Sequence, residues 1–144
     1  NYTTWLRRLV EMTGPQNIAI VGLRDCDEND FQFITEKNIL YFSPNQIKNN
    51  IEIVKEKLKN FVKDFDVYIS LDIDVFDPSI APAVDNPEPN GLLFSEFLEL
   101  TDVIANENVV GLDLVEIKPQ QGKNTEFLAV ESIFQMLSRI KSQS

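Results

Sequence analysis

Apolar residues recur along this chain with two alternating periods. Residues 2–13 carry Trp5, Leu9 and Met12 at helical spacing and stop at Gly14-Pro15, which predicts a first helix with those three on one face. The apolar run Asn17–Leu23, bounded by turn formers, reads as a buried strand. An acidic loop, Arg24-Asp25-Cys26-Asp27-Glu28-Asn29-Asp30, opens a short helix over 28–37 with Asp27 or Asn29 as N-cap. Ile39–Phe42 is a short strand, and Ile47, Ile51, Val54, Leu58, Phe61 and Val62 predict one long helix over 45–63. A strand follows over 66–73, with its acids at Asp72 and Asp74, and then a loop over 75–91 holding four prolines. The remaining elements are a helix over 95–106 capped by Ser95, a strand over 109–116, and a helix over 125–141 capped by Thr125. That last helix carries Phe127, Val130, Phe134, Leu137 and Ile140 near helical period. Trp5 and Phe61 read as core.

Alternating strands and helices are the mark of parallel βαβ units with helices on the sheet faces. The expected fold is therefore α/β, a small doubly wound, mainly parallel sheet of about four strands. Both outermost strands of so small a sheet need cover, so the chain is expected to be part of a larger sheet completed outside it.

Composition narrows the partners. A formal charge of −10 disfavours nucleic acid and anionic membranes and suits metal ions, amines or guanidinium groups. The single cysteine, Cys26, forms no internal disulfide and suits a reducing compartment, so the cytoplasm is the expected location. No apolar run approaches the roughly 20 residues of a membrane span.

The chemistry concentrates in Ser70-Leu-Asp72-Ile-Asp74-Val-Phe-Asp77-Pro78-Ser-Ile-Ala-Pro82-Ala and on to Gly91. Side chains at i and i+2 of a strand share a face, roughly 6.5–7 Å apart, which lets two carboxylates reach one metal or a metal pair. Acids at the carboxyl end of an apolar strand also stand where open α/β sheets bind ligands. A lone Asp-x-Asp is more often a solvated turn than a metal site. Asp77 reads as structural, capping the turn at Pro78. For Glu116 the plain reading is a strand-end carboxylate paired with Lys118 or Lys123. For Asp25, Asp27 and Asp30, a solvated helix-capping loop and a ligand-binding loop remain equally open, and Asp25 is also placed to pair with Arg24 or a neighbouring segment.

The 22-residue frame from Ser70 to Gly91 resembles the signature of the ureohydrolases, the arginases, agmatinases and their relatives, at each of its fixed positions. Two further stretches are similar to arginase segments: Gly22-Leu-Arg-Asp-Cys-Asp27 with Asp30 and Ile39–Ser43, and Gly111-Leu-Asp113-Leu-Val-Glu116-Ile-Lys-Pro119-Gln-Gln-Gly122-Lys123. Together they cover roughly residues 17–135 and correspond to the C-terminal half of a family member, so residues 1–144 are expected to form the C-terminal portion of an arginase-like, three-layer α/β/α domain.

The resemblance implies two manganese ions, with Asp72 bridging both and Asp74 binding one. It implies Glu116 as acceptor of the substrate guanidinium, Asp27 and Asp30 at the α-amino end of an arginine-like substrate, and Asp113 as a supporting acid. The implied reaction is metal-assisted hydrolysis of a guanidino C–N bond with release of urea, arginine first and agmatine next, in a trimer or hexamer of identical subunits. Several departures accompany it. The chain has no histidine, whereas the family needs two histidine ligands, further aspartates from an N-terminal half, and a histidine for proton transfer. Candidate positions for that last histidine hold Tyr2 or Thr3. The family's Gly-Thr-Pro and Gly-Gly-Leu read Asp85-Asn86-Pro87 and Asn90-Gly91-Leu92, and the Asn of its Asn-Pro is Lys118. No residue of this chain is therefore assigned as catalytic, and the chain alone is expected to be inactive. Two rivals remain: a non-catalytic ureohydrolase-like subunit, and a phosphoacceptor receiver domain, whose order of acids and loops fits less well.

Overall fold

The computed structural model describes residues 2–105, 108–118 and 123–141. The elements are α1 (Tyr2–Thr13), β1 (Ala19–Val21), α2 (Glu28–Glu36), β2 (Leu40–Phe42), α3 (Pro44–Asn49), α4 (Ile51–Val62), β3 (Asp66–Asp72), α5 (Phe94–Ile104), β4 (Asn108–Val115) and α6 (Lys123–Lys141). Short 3-10 turns at Pro15–Asn17 and Ile73–Val75 follow α1 and β3.

The α/β alternation and the parallel pairing hold, and the four strands pair in twos. β1 runs parallel to β2 (Ala19↔Leu40 to Val21↔Phe42). β3 runs parallel to β4 from Asp66↔Asn108 to Asp72↔Val115, with a register shift between Val67 and Tyr68. Among the described residues each strand has one hydrogen-bonded strand neighbour.

Three apolar clusters hold these pieces together. Leu6 of α1 packs with Ile18, Ile34 and Ile39. Phe42, Ile47, Val54, Leu58, Leu92 and Leu100 bury α4 and α5 against the first strand pair. Ile69, Leu71, Ile73, Phe76, Phe97, Ala129 and Met136 form the core of the second. Val75 and Ile104 pack against both of these last two clusters and so join the strand pairs.

Several expectations change. The buried side of α1 is Leu6 with half-buried Leu9 and Val10, while Trp5 and Met12 are exposed; an amphipathic stripe shifted by one residue fits the same periodicity. The expected helix over 45–63 is two helices. Asn50 leaves helical geometry (φ −156°, ψ 71°) and its side chain accepts from the Ile53 N–H, so one residue ends α3 and caps α4. Ser95 does not cap α5: Leu93 is the N-cap residue, and its N–H donates to Glu96 Oε2 at 2.8 Å. Thr125 lies inside α6, fully buried. No described helix is long and apolar enough to cross a membrane.

Candidate metal and substrate site

β3 ends at Asp72, and the chain turns there for a local reason. The Asp72 carboxylate accepts from the Asp74 N–H at 3.0 Å, capping the 3-10 turn Ile73–Val75. Asp74 thus stands on the turn and not on the strand, which corrects the expectation of two acids on one strand face. An acid whose side chain caps the N–H two residues on competes with the ladder for that N–H and ends the strand.

Two restraints hold the turn. Gly22, just past β1, has φ +87°, and a Cβ on it would lie 2.4 Å from Val75 Cγ2. Arg24, two residues on, donates from its guanidinium to the backbone carbonyls of Asp74, Val75 (3.2 Å) and Phe76 (3.3 Å), and its Nε donates to the Glu88 carbonyl at 3.3 Å. From the sequence, Arg24 stands out only as a partner for Asp25. Its position at the end of a strand beside a glycine was the available signal.

Asp72 is partly buried and its carboxyl is pushed up to about 7. Burial is the main cause, and the charges of Asp74 and Glu116 add to it. Glu116 reaches this neighbourhood through register: Asp72 pairs with Val115, so the residue after β4 falls at the same sheet end. Its backbone is left-handed there (φ +63°) and its side chain is exposed. Among the described residues Glu116 has no ion pair. Lys118 instead pairs with Asp85 of the proline loop, so the plain reading of Glu116 as a partner of Lys118 does not hold.

The other candidates have local partners. Asp27 is the N-cap of α2, its Oδ1 accepting from the Asp30 N–H at 2.9 Å. Asp30 is buried at 4% exposure, while Asp27 is exposed. Asp25 accepts from Asn86 Nδ2, tying the acidic loop to the proline loop. Asp113 accepts from Tyr68 Oη (2.8 Å) and Ser70 Oγ (2.7 Å), both across on β3, so its carboxylate clamps the strand pair. Cys26 lies among Asp30, Asp27 and Asp25; burial first, then these charges, push its thiol up, which keeps it protonated.

The proline loop is closed by Asp77, as its sequence suggested. One oxygen accepts from the Ser79 N–H and the other from the Gly91 N–H, each at 3.0 Å. The Ser79 hydroxyl first, then the Ser79 and Gly91 N–H groups, hold its carboxyl below the usual range. The loop is also pinned to α6, where the buried Thr125 Oγ1 accepts from the Ala83 N–H at 3.0 Å, a contact the sequence did not announce.

The donor set suits a hard divalent cation in part. Two carboxylates sit together and both offer oxygen, and burial pushes that of Asp72 up to about 7. Among the described residues no group of three or more His, Cys, Asp or Glu side chains is arranged to hold a metal ion. Asp72 and Asp74 alone do not complete a metal site.

Comparison with known proteins assigns the chain to a family. The chain is 30% identical over 141 residues to an agmatinase of Halalkalibacterium halodurans, covering 95% of this chain and 47% of that protein. It is 34% identical over 130 residues to the mitochondrial arginase-2 of Mus musculus, covering 83% and 37%. The solved agmatine ureohydrolase of Thermoplasma volcanium superposes with a TM-score of 0.84 at 30% identity, over 94% of this chain and 46% of that one. The chain spans about half the length of such relatives, or less. The profile described as the arginase family matches residues 1–138, and the chain belongs to that family.

Proposed function

We propose that this chain forms part of the active site of a manganese-dependent ureohydrolase that splits a guanidino C–N bond and releases urea. The observation carrying this reading is the meeting of Asp72 and Asp74, at the end of β3, with Glu116 at the end of the adjacent β4. Asp72 and Asp74 would hold manganese, which prefers such oxygen donors. Bound manganese supplies the Lewis acidity that makes water a competent nucleophile near neutral pH. Glu116, exposed and without an ion pair among the described residues, would accept the substrate's guanidinium through charge-assisted hydrogen bonds. Arg24 holds the turn that carries Asp74, and Asp113 supports from behind by fixing β3 to β4. The receiver-domain reading falls to the family assignment.

The remaining ligands would come from polypeptide equivalent to the part of the relatives that this chain does not cover. Support for that division comes from strands that each have one strand neighbour among the described residues, and from an apolar face on α6, where Phe127 is 74% and Phe134 64% exposed. By itself the chain would be inactive. Assembly as a homo-oligomer in the cytoplasm completes the reading.

In the complete protein, Asp72→Asn and Asp74→Asn are each expected to lower kcat by 10³-fold or more, on the order of 4 kcal/mol of transition-state stabilisation, and to lose manganese in metal analysis. Full manganese content and unchanged urea release in both variants reject the assignment. Wild-type protein that binds manganese yet releases no urea from arginine or agmatine favours a non-catalytic subunit.

Arginine is the favoured substrate and agmatine the next, because the acidic loop offers the exposed Asp27 to an α-amino group, with the buried Asp30 behind it. Asp27→Asn keeps the side-chain oxygen that caps α2 while removing charge. It is expected to reduce the preference for arginine over agmatine by roughly tenfold, the size of one charged contact. An unchanged preference removes Asp27 from substrate recognition.

A further inference from the structure

Lys118 follows Glu116 by two residues, so their backbones are separated by about 7 Å at most. A lysine ammonium on its flexible stem reaches a carboxylate at that range. Such a contact would compete with any cationic substrate for Glu116. The structure shows Lys118 engaged elsewhere, with its Nζ paired to Asp85.

That pairing is prepared by the backbone around it. The Lys118 N–H donates to the Ala83 carbonyl at 3.2 Å, and the Ala83 N–H donates to Thr125 Oγ1 at 3.0 Å. Ala83 is buried and lies two residues before Asp85. On the other side of Asp85, Asn86 donates to Asp25. The proline loop is therefore fixed to α6 and the 118 segment on one flank and to the acidic loop on the other, with Asp85 held facing Lys118.

We propose that Asp85 is a positioning residue, a counter-ion that holds the Lys118 ammonium off Glu116 and so keeps that carboxylate open to a guanidinium group. The inference rests on the reading of Glu116 as the guanidinium acceptor. Asp85 itself does not touch substrate in this scheme. The pair is largely exposed, with side chains 43% and 58% accessible, so its effect is modest and lies in substrate affinity and not in the chemical step.

A double-variant cycle in the complete, manganese-loaded protein tests this, with arginine and agmatine as probes. Asp85→Asn is expected to raise KM about fivefold with kcat within about twofold, the scale of one exposed ion pair. Lys118→Gln leaves KM within about twofold, and adding it to Asp85→Asn returns KM to near the wild-type value. An unchanged KM in Asp85→Asn overturns the proposal. Equal KM defects in Asp85→Asn and the double variant also overturn it, since Asp85 would then act on the loop or the substrate directly. A crystal structure of Asp85→Asn gives a readout without turnover: Lys118 Nζ within about 4 Å of the Glu116 carboxylate supports the proposal, and Lys118 directed elsewhere overturns it. If wild-type protein hydrolyses neither probe, the functional reading fails, and this structure still decides what Asp85 does.

Discussion

Asp72 shows how one residue can serve the backbone while its own charge is penalised by burial. Its carboxylate caps the turn that begins at Ile73, while burial and the neighbouring Asp74 and Glu116 push its pKa to about 7. An unfolded aspartate titrates near 3.9. Between about pH 4 and pH 7 the folded, metal-free chain therefore binds more protons than the unfolded one, and its stability falls as pH rises through that window. Asp72→Asn removes this liability and keeps an oxygen for the cap. In thermal or urea unfolding of metal-free protein it is expected to stabilise more at pH 8 than at pH 5, by about 1–2 kcal/mol once solvent screening is allowed for. Equal effects at the two pH values would show that Asp72 titrates as an ordinary carboxylate. The placement of Asp72, Asp74 and Glu116 at neighbouring strand ends was legible in the sequence, because apolar runs mark where β3 and β4 stop. The local partners of Asp27 and Asp113 were less so: capping by Asp27 was one of two open readings, and the clamp on Asp113 requires the β3–β4 register.

At the scale of elements, punctuation carried the sequence reading and long-range contacts escaped it. Gly14-Pro15 ended α1 where expected, and Asp27 began α2. The break at Asn50 was hidden because Ile47, Ile51, Val54 and Leu58 stay in helical phase across it. The bond from the Ala83 N–H to Thr125 joins residues 42 apart in sequence, and no local signal encodes it. The proline loop combines both kinds of information. Its ends are joined by a parallel bridge between Phe76 and Leu92, and by the bond from the Asp77 N–H to the Leu92 carbonyl at 2.9 Å. A Cβ on Gly91 would lie 2.4 Å from both Asp77 N and Phe76 C. These are backbone atoms with no freedom to retreat. Gly91→Ala is expected to cost about 2–3 kcal/mol, measured as a shift of the urea midpoint at constant slope. A loss under about 0.5 kcal/mol would mean that the loop closure yields easily.

For the molecule as a whole, the sequence predicted parallel α/β architecture because strands buried by helices on their faces leave apolar runs of characteristic length, and the expectation of a larger sheet came from the cover that edge strands need. How the strands divide could not be read, because periodicity carries no information on which edges meet. The two parallel pairs share a core through Val75 and Ile104. They also leave a row of apolar side chains along α6, where the inward positions are Thr125, Ala129, Ser132 and Met136 while Phe127, Val130 and Phe134 face out. Small and polar residues inward with aromatics outward reverse the order of a helix at a finished surface, and Val130, Ile133, Phe134 and Leu137 with Leu114, Ile117 and Ala129 line a cavity of about 280 Å³. If the uncovered part of the family's length seats on this face, the 144-residue chain alone carries an adhesive surface despite its charge of −10. Expressed by itself, it is expected to bind a hydrophobic dye and to self-associate in sedimentation velocity. Phe127→Glu with Phe134→Glu is expected to restore the monomer without loss of helical signal, since both positions are exposed and cost little when changed. The same pair, placed in the complete protein, is expected to destabilise it by about 3 kcal/mol or more, because there the two rings would be buried. A monomeric, dye-silent isolated chain, together with an unaffected complete protein, would mean that α6 faces water and that the covering segment lies elsewhere.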